Sequence, residues 1–287
     1  MKRFLFFIVT ILLSLSGIAQ KTDKKLTEKI NELIKGFKGD VGIYVHDLDR
    51  NRIVAINADT VFPTASMVKV PILIGIMDKM EKHELNYHQT LTYSNSLFYD
   101  DGDVVGNLKD SAKIELSKVI MLMLTTSDNT ASLWLQQLAG TGIRINQLMD
   151  ENGFVVTRVN SRTPGRENNR TQYGWGQTSP KEMAQLMEMI ATKKLLNDTA
   201  SEKMLRILGR NYWDEQALSQ IPAGVFVASK NGAVNASRSE VLYVNADDAR
   251  YIFCICTKNN QDKSWENSNE AWVLTNKLSK LLWEYYN

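Results

Sequence analysis

Six apolar residues in succession, Tyr251-Ile252-Phe253-Cys254-Ile255-Cys256, constrain this chain more than any other stretch. The run is far shorter than a membrane span. As a strand, whose side chains alternate between faces, it has no polar side to offer to water. The sheet that holds it must therefore be covered on both faces.

Both ends of the chain supply pieces of such a sheet. Leu26, Ile30, Leu33, Ile34 and Phe37 recur at helical spacing, and the stretches 41–45 and 53–56 flank the polar turn Asp47 to Asn51 as a hairpin. Towards the other end, strands are predicted at 225–229, 240–245 and 250–257, and Leu274, Leu278, Leu281 and Leu282 mark a closing helix. Between them the pattern turns helical, at 66–82, 115–126, 130–139, 143–151, 180–193 and 199–209. The expected fold is α+β: a mostly antiparallel sheet flanked by the N- and C-terminal helices, with an all-helical lobe inserted. The expected boundaries are 20–62 plus 222–287 for the sheet lobe and 63–221 for the helical lobe. A length of 287 residues fits two lobes at roughly 150 residues per domain.

The first segment has Lys2 and Arg3, an apolar run from Phe4 to Leu15, and Gly17-Ile18-Ala19 before Gln20. This is the layout of a secretory signal peptide over 1–19, and no later run is long enough to span a bilayer. Gln20 is not the cysteine that bacterial lipoproteins carry after cleavage. A bacterial periplasmic or secreted protein is expected, without a membrane span and monomeric. Export would permit disulfides, but Cys254 and Cys256, the only two cysteines, point to the same strand face. They read as small core residues.

Several chemistries lack their usual signs. Lys plus Arg number 34 and Asp plus Glu 32, a net charge of +2 with no footprint for nucleic acid. The three histidines, His46, His83 and His88, are not spaced with other ligands as zinc requires. There is no Gly-x-Ser-x-Gly elbow and no glycine-rich phosphate loop. No metal and no cofactor are expected.

Three short motifs remain. Ser66-Met67-Val68-Lys69 opens the first middle helix, and a spacing of three puts serine and lysine on one face. A lysine held near its neutral form can take the proton of a serine nucleophile. Ser127-Asp128-Asn129 sits at a helix junction, and Lys230-Asn231-Gly232 closes a strand. Taken singly, each has an ordinary explanation: a capping serine with a surface lysine, helix-capping residues, and a hairpin turn.

In this order and in these places, the three resemble the motif set of penicillin-recognising serine enzymes, and most of all the class A β-lactamases. Pro63-Thr64-Ala65 before Ser66, Thr130-Ala131 after Asn129, and Ile221-Pro222 before the third motif's strand agree with it. The resemblance implies roles. Ser66 would attack a lactam carbonyl, Lys69 would manage its proton, and the N–H groups of Ser66 and Ala233 would hold the oxyanion. Ser127 would protonate the departing nitrogen, with Lys230 nearby. Asn129 would hold the substrate's side-chain amide, and Lys230 with Arg238 its carboxylate; a solvated strand arginine is the other reading of Arg238. The substrate would be a β-lactam or a cell-wall-peptide-like small molecule.

Two departures stand out. The family's third motif carries a hydroxyl where this chain has Asn231, a substrate-binding candidate whose bulkier amide can still donate a hydrogen bond to a carboxylate. In the loop before Thr178-Ser179-Pro180, where class A enzymes keep a glutamate that activates the deacylating water, counting back from Pro180 lands near Thr163. Glu167 is the only acid between Phe154 and Pro180. With Glu167 as base the chain would be a β-lactamase. Without a base it would behave as a penicillin-binding protein, a D-Ala-D-Ala peptidase or an esterase with slow deacylation. A non-catalytic binder of cell-wall fragments is the remaining alternative.

Overall fold

The computed structural model describes residues 20–287, so the expected signal peptide lies outside the described residues. The described residues begin with β1 (Lys21–Thr22), α1 (Lys24–Ile34) and the hairpin β2 (Asp40–Asp47) and β3 (Arg52–Ile56). Then come β4 (Phe62–Pro63), a 3-10 turn (Ala65–Val68), α2 (Lys69–Glu81), β5 (Thr90–Thr92), β6 (Lys113–Glu115), α3 (Leu116–Thr125), α4 (Asn129–Leu138) and α5 (Thr141–Glu151). After them follow β7 (Arg158–Val159), α6 (Glu167–Tyr173), β8 (Gly176–Thr178), α7 (Pro180–Ala191) and α8 (Asp198–Leu208). The chain ends with β9 (Phe226–Val234), β10 (Ser237–Asn245), β11 (Arg250–Lys258) and α9 (Glu270–Tyr286).

The main sheet runs β1-β3-β2-β11-β10-β9, antiparallel throughout except for the β1–β3 pair. The apolar run lies in β11, at its middle, and all six residues are buried. Alternation divides them. Tyr251, Phe253 and Ile255 pack with Leu26 and Ile30 of α1 and Leu274, Leu278 and Leu282 of α9. Ile252, Cys254 and Cys256 face the other way, into the core built by α2, α3, α4 and α7. Full burial of such side chains contributes about 1.5–3 kcal/mol each, which ties both helical layers to one strand. Cys254 and Cys256 are free thiols with their sulfurs 3.7 Å apart on one face.

The structure adds detail to the sequence pattern. The Lys230-Asn231-Gly232 triplet lies inside β9, and the hairpin turn falls beyond it, at Asn235-Ala236. The middle segment also holds two small sheets, β4-β8-β7 and β5-β6. α6 carries no apolar stripe and buries no residue, so hydrophobic spacing could not reveal it.

Candidate active site

The cleft forms where the edge strand β9 meets the 3-10 turn and the α3–α4 junction. Gly232 makes the approach possible. A Cβ there would lie 2.4 Å from the Thr64 carbonyl oxygen and 2.7 Å from the Ser66 nitrogen, so only glycine lets the strand rest against the turn. Ser66 sits in that turn, after Ala65 at φ 43°. Lys69 follows as the first residue of α2, a helix buried continuously from Lys69 to Asp78. The amine is thus set on a helix whose first ten residues are buried, and the nucleophile on the turn that leads into it.

Ser127 reaches the same point from the α3–α4 junction, also in the left-handed region at φ 63°. Such a conformation costs of order 1–3 kcal/mol in a non-glycine residue and needs support. Two buried acids supply it. Asp128 Oδ1 accepts from the Ala131 N–H at 2.7 Å, capping α4, and its Oδ2 accepts from the Val105 N–H at 2.8 Å. Asp103 accepts from the Asn129 N–H at 2.7 Å, the Thr130 N–H at 2.6 Å and the Thr130 hydroxyl at 2.7 Å.

The Lys69 amine ties these pieces together. Its Nζ lies 2.8 Å from the Ser127 carbonyl, 2.8 Å from Asn129 Oδ1, 2.9 Å from Ser66 Oγ and 3.1 Å from Ser127 Oγ. The carbonyl and the amide oxygen can only accept, so they take two N–H donors. A neutral amine then has its lone pair left, facing two hydroxyls. Burial pushes the Lys69 pKa well below its ordinary value, and Lys230 adds to the effect while Asp103 and Asp128 oppose it. The geometry and the electrostatics both favour an amine able to take the Ser66 proton.

On β9, Lys230 is fully buried and donates to the Asn231 carbonyl at 3.0 Å and to Asn231 Oδ1 at 3.2 Å. Burial lowers its pKa to about 7, with Glu240 acting in the opposite direction. Ala233 lines the cleft together with Ser66 and Asn129. Arg238 is not a solvated strand residue: it is 1% exposed. Its guanidinium donates to the carbonyls of Val234, Ser237 and Ser264, and lies 4.5 Å from the Trp265 ring centroid and 4.8 Å from that of Trp272. These contacts use three of its five N–H groups; Nη2 has one N–H left over and Nε is buried without a partner.

Glu167 stands apart from this group. It begins α6, is exposed, and accepts from the Gly165 N–H at 3.1 Å. Thr163 is buried, with its hydroxyl on the Ser161 carbonyl at 2.9 Å. The cavity of about 530 Å³ between Ser66 and this loop is lined by Tyr99, Gln172, Tyr173 and Trp175, and no carboxylate is among its lining residues. An adjoining cavity, reaching Ser127, Asn231 and Glu240, is lined by four acids, Asp100, Asp103, Glu215 and Glu240. Glu240 escaped the sequence reading. Its only sequence signal was a charged residue opening the predicted strand 240–245.

Known proteins share this fold. A family profile described as "Beta-lactamase enzyme family" matches residues 25–286. The chain belongs to that family. Among curated relatives, the β-lactamase VEB-1 of Pseudomonas aeruginosa is 21% identical, covering 99% of this chain and 98% of its own. A β-lactamase of Streptomyces fradiae is 26% identical over 67% of this chain and 64% of its own. Among solved structures, an acyl-enzyme complex of a PBP-A mutant with penicillin G has a TM-score of 0.83 at 23% identity, covering 93% of this chain and 98% of that one. A β-lactamase from Chitinophaga pinensis has a TM-score of 0.82 at 20% identity, covering 92% and 100%. At these identities the structural neighbours establish the fold: α+β, with an antiparallel-dominated sheet.

Proposed function

We propose that this family member is a bacterial exported serine hydrolase that opens β-lactam rings at Ser66, with fast acylation and slow deacylation. The observation that carries this reading is the bonding of Lys69 Nζ, which leaves a lone pair for the Ser66 hydroxyl. Ser66 Oγ bonds to the lactam carbonyl carbon as its proton passes to Lys69. The oxyanion rests on the backbone N–H groups of Ser66 and Ala233. The carbon–nitrogen bond then breaks, and the proton returns through Ser127 to the ring nitrogen. Asn129, whose Oδ1 is already engaged by Lys69, has its amide N–H₂ to offer the substrate's side-chain carbonyl.

Hydrolysis of the resulting ester needs a water and a base within reach of it. The cavity facing Ser66 has no carboxylate in its lining, so no acid of that wall serves as the base for the water. One general base is typically worth ~10²–10⁴ in rate. The acyl-enzyme should therefore accumulate. Export rests on the sequence of residues 1–19; among the described residues no helix is long and apolar enough to cross a membrane.

The test is intact mass spectrometry over time after mixing with penicillin G. A one-to-one adduct that forms fast and decays slowly, releasing opened penicillin, is expected, and Ser66→Ala should form none. No adduct and no opened product at any time, or an adduct on Ser66→Ala, would overturn the proposal.

A further inference from the structure

Ser127, the proposed proton donor to the departing nitrogen, lines the second of the two cavities and not the first. The leaving-group side of a substrate therefore faces that second cavity. Of the six tryptophans, only Trp213 and Trp265 are exposed, by 42% and 58%, and both stand in its wall. Each indole is nonetheless held in place. Trp213 Nε1 donates to the Thr126 carbonyl and Trp265 Nε1 to Asn235 Oδ1, both at 3.0 Å. Trp265 already has the Arg238 guanidinium against its ring. Among the described residues no lysine or arginine lies over the Trp213 ring.

Three acids share that wall without being used up. Asp100 accepts from the Gly102 N–H at 2.9 Å, and among the described residues neither Asp100 nor Glu215 forms an ion pair. Glu240 is 2% exposed, with Oε2 on the Ala217 N–H at 3.2 Å and Oε1 buried without a partner. Burial raises the Glu240 pKa to about 7, the Ala217 N–H and Lys230 act against this, and Glu215 adds to the rise. Glu215 and Glu240 thus repel each other across a shared space. Only Asp103, the fourth acid, is consumed, in holding the Asn129 and Thr130 backbone. An indole face beside unpaired carboxylates is the surrounding in which a desolvated nitrogen cation is held best.

We propose that this side of the cleft is a subsite for a cationic heteroaromatic group, with the Trp213 ring as its platform and Glu215 and Asp100 as its counter-charges. The preferred substrates are then cephem lactams that carry such a group at the 3-position. The inference rests on acylation of Ser66 by lactams, as proposed above, and names the lactam class. In a cephem the carbon that carries the carboxylate is bonded both to the departing nitrogen and to the carbon that bears the 3-substituent. That substituent therefore enters the cavity lined by Ser127, whereas a penicillin has only two methyl groups there. The lactam carboxylate keeps its own partners. Arg238 has Nε and one Nη2 N–H to offer, and Lys230 and Asn231 stand on the neighbouring strand. Carboxylate and cation are then matched by opposite charges in one cavity, which suits a zwitterion.

Two cephems with the same thienylacetyl side chain serve as probes: cephaloridine, with a pyridinium on the 3-methylene, and cephalothin, with an acetoxy group there. Acylation is read by intact mass as loss of unmodified protein, so later departure of the 3-substituent does not enter. The probes' intrinsic reactivities cancel when their rate ratio, cephaloridine over cephalothin, is compared between proteins. Trp213→Ala is expected to lower that ratio about fivefold. Trp213→Phe, which loses the Thr126 bond but keeps an aromatic face, should lower it less than about twofold. Glu215→Gln should lower it about twofold at low salt, as an exposed charge does. A ratio unchanged in Trp213→Ala overturns the inference. So does an equal fall in Trp213→Phe, which would assign the effect to the placing of Ser127. Should Trp213→Ala not fold, Glu215→Gln decides, and a ratio equal to that of the wild type refutes. Acylation by penicillin G but by neither cephem overturns this inference alone. Acylation by none of the three removes the Ser66 reading, and this inference with it.

Discussion

Replacing Gly232 by alanine tests whether the site is built by contact between β9 and the nucleophile turn. The new Cβ would stand 2.4 Å from the Thr64 carbonyl oxygen, 2.7 Å from the Ser66 nitrogen and 3.0 Å from the Met67 nitrogen. Comfortable separations are about 3.5 Å, so the strand and the turn must part by roughly 1 Å. All three opposing atoms are backbone, and the turn is pinned by the Thr64 N–H on the Gly176 carbonyl at 3.0 Å. No flexible side chain is available to yield. Overpacking of this kind costs about 1–3 kcal/mol, partly offset by the ~0.5–1 kcal/mol that alanine gains over glycine in a strand. A net loss near 1–2 kcal/mol lowers Tm by only several degrees in a chain of this size.

Acylation should suffer far more. The strand bears Ala233 and the turn bears Ser66, the two proposed oxyanion donors, and a misplacement of ~1 Å is worth about 10²-fold in rate. Acylation by penicillin G, followed by intact mass, is thus expected to fall about a hundredfold while the far-ultraviolet circular dichroism and the cooperative melt persist. A Gly232→Ala variant acylated within threefold of wild type would refute the idea that this close approach sets the site.

Two further outcomes follow from the electrostatics and the loop. Because burial lowers the Lys69 pKa, its neutral form is kept to a lower pH than in a free lysine and is lost as pH falls through the lowered value; the acylation rate should drop about tenfold per pH unit below that point and be level above it. A rate still climbing at pH 10 would mean an unperturbed lysine. Glu167→Gln should leave both acylation and deacylation within about twofold, since an exposed surface substitution seldom matters. An adduct that becomes at least tenfold longer-lived in that variant would restore Glu167 as the base.

Much of the fold was legible because its signals were periodic. Helices α3, α4, α5, α7 and α8 carry apolar stripes, and β11 is an unbroken apolar run, so burial wrote itself into the sequence. The same logic hid the start of β10: Ser237, Arg238 and Ser239 are buried but polar, and hydrophobic spacing has no sign for a polar residue that is inside. The grouping of Ser66, Lys69, Ser127 and Asn129 was suggested by motif order and appears in the structure as one set of hydrogen bonds on a single amine. Arg238 and Glu167 show the limit of counting along a chain. Whether a guanidinium meets a ligand or a pair of tryptophans depends on α9 and the loop before it, elements more than twenty residues away.

The two halves of the proposed reaction rest on parts of very different stiffness. Ser66, Lys69 and Ser127 are fixed by a helix buried from Lys69 to Asp78, by two left-handed residues and by acids that cap their own neighbours. Moving Lys69 means unpacking the core. The wall from which a deacylating water would be directed is α6 with its flanks, seven residues with none buried, entered after Gly165 at φ 78° and left through Gly174 at φ 72°. Its ties to the body are few: Arg166 and Asn169 on Gln177 Oε1, and Arg166 on Asn160 Oδ1. Substitutions there can alter the lifetime of an acyl-enzyme without touching its formation, whereas substitutions in the α2 turn must change formation first. The chemistry of attack is thus a property of the core, and the chemistry of release is left to a thin surface segment.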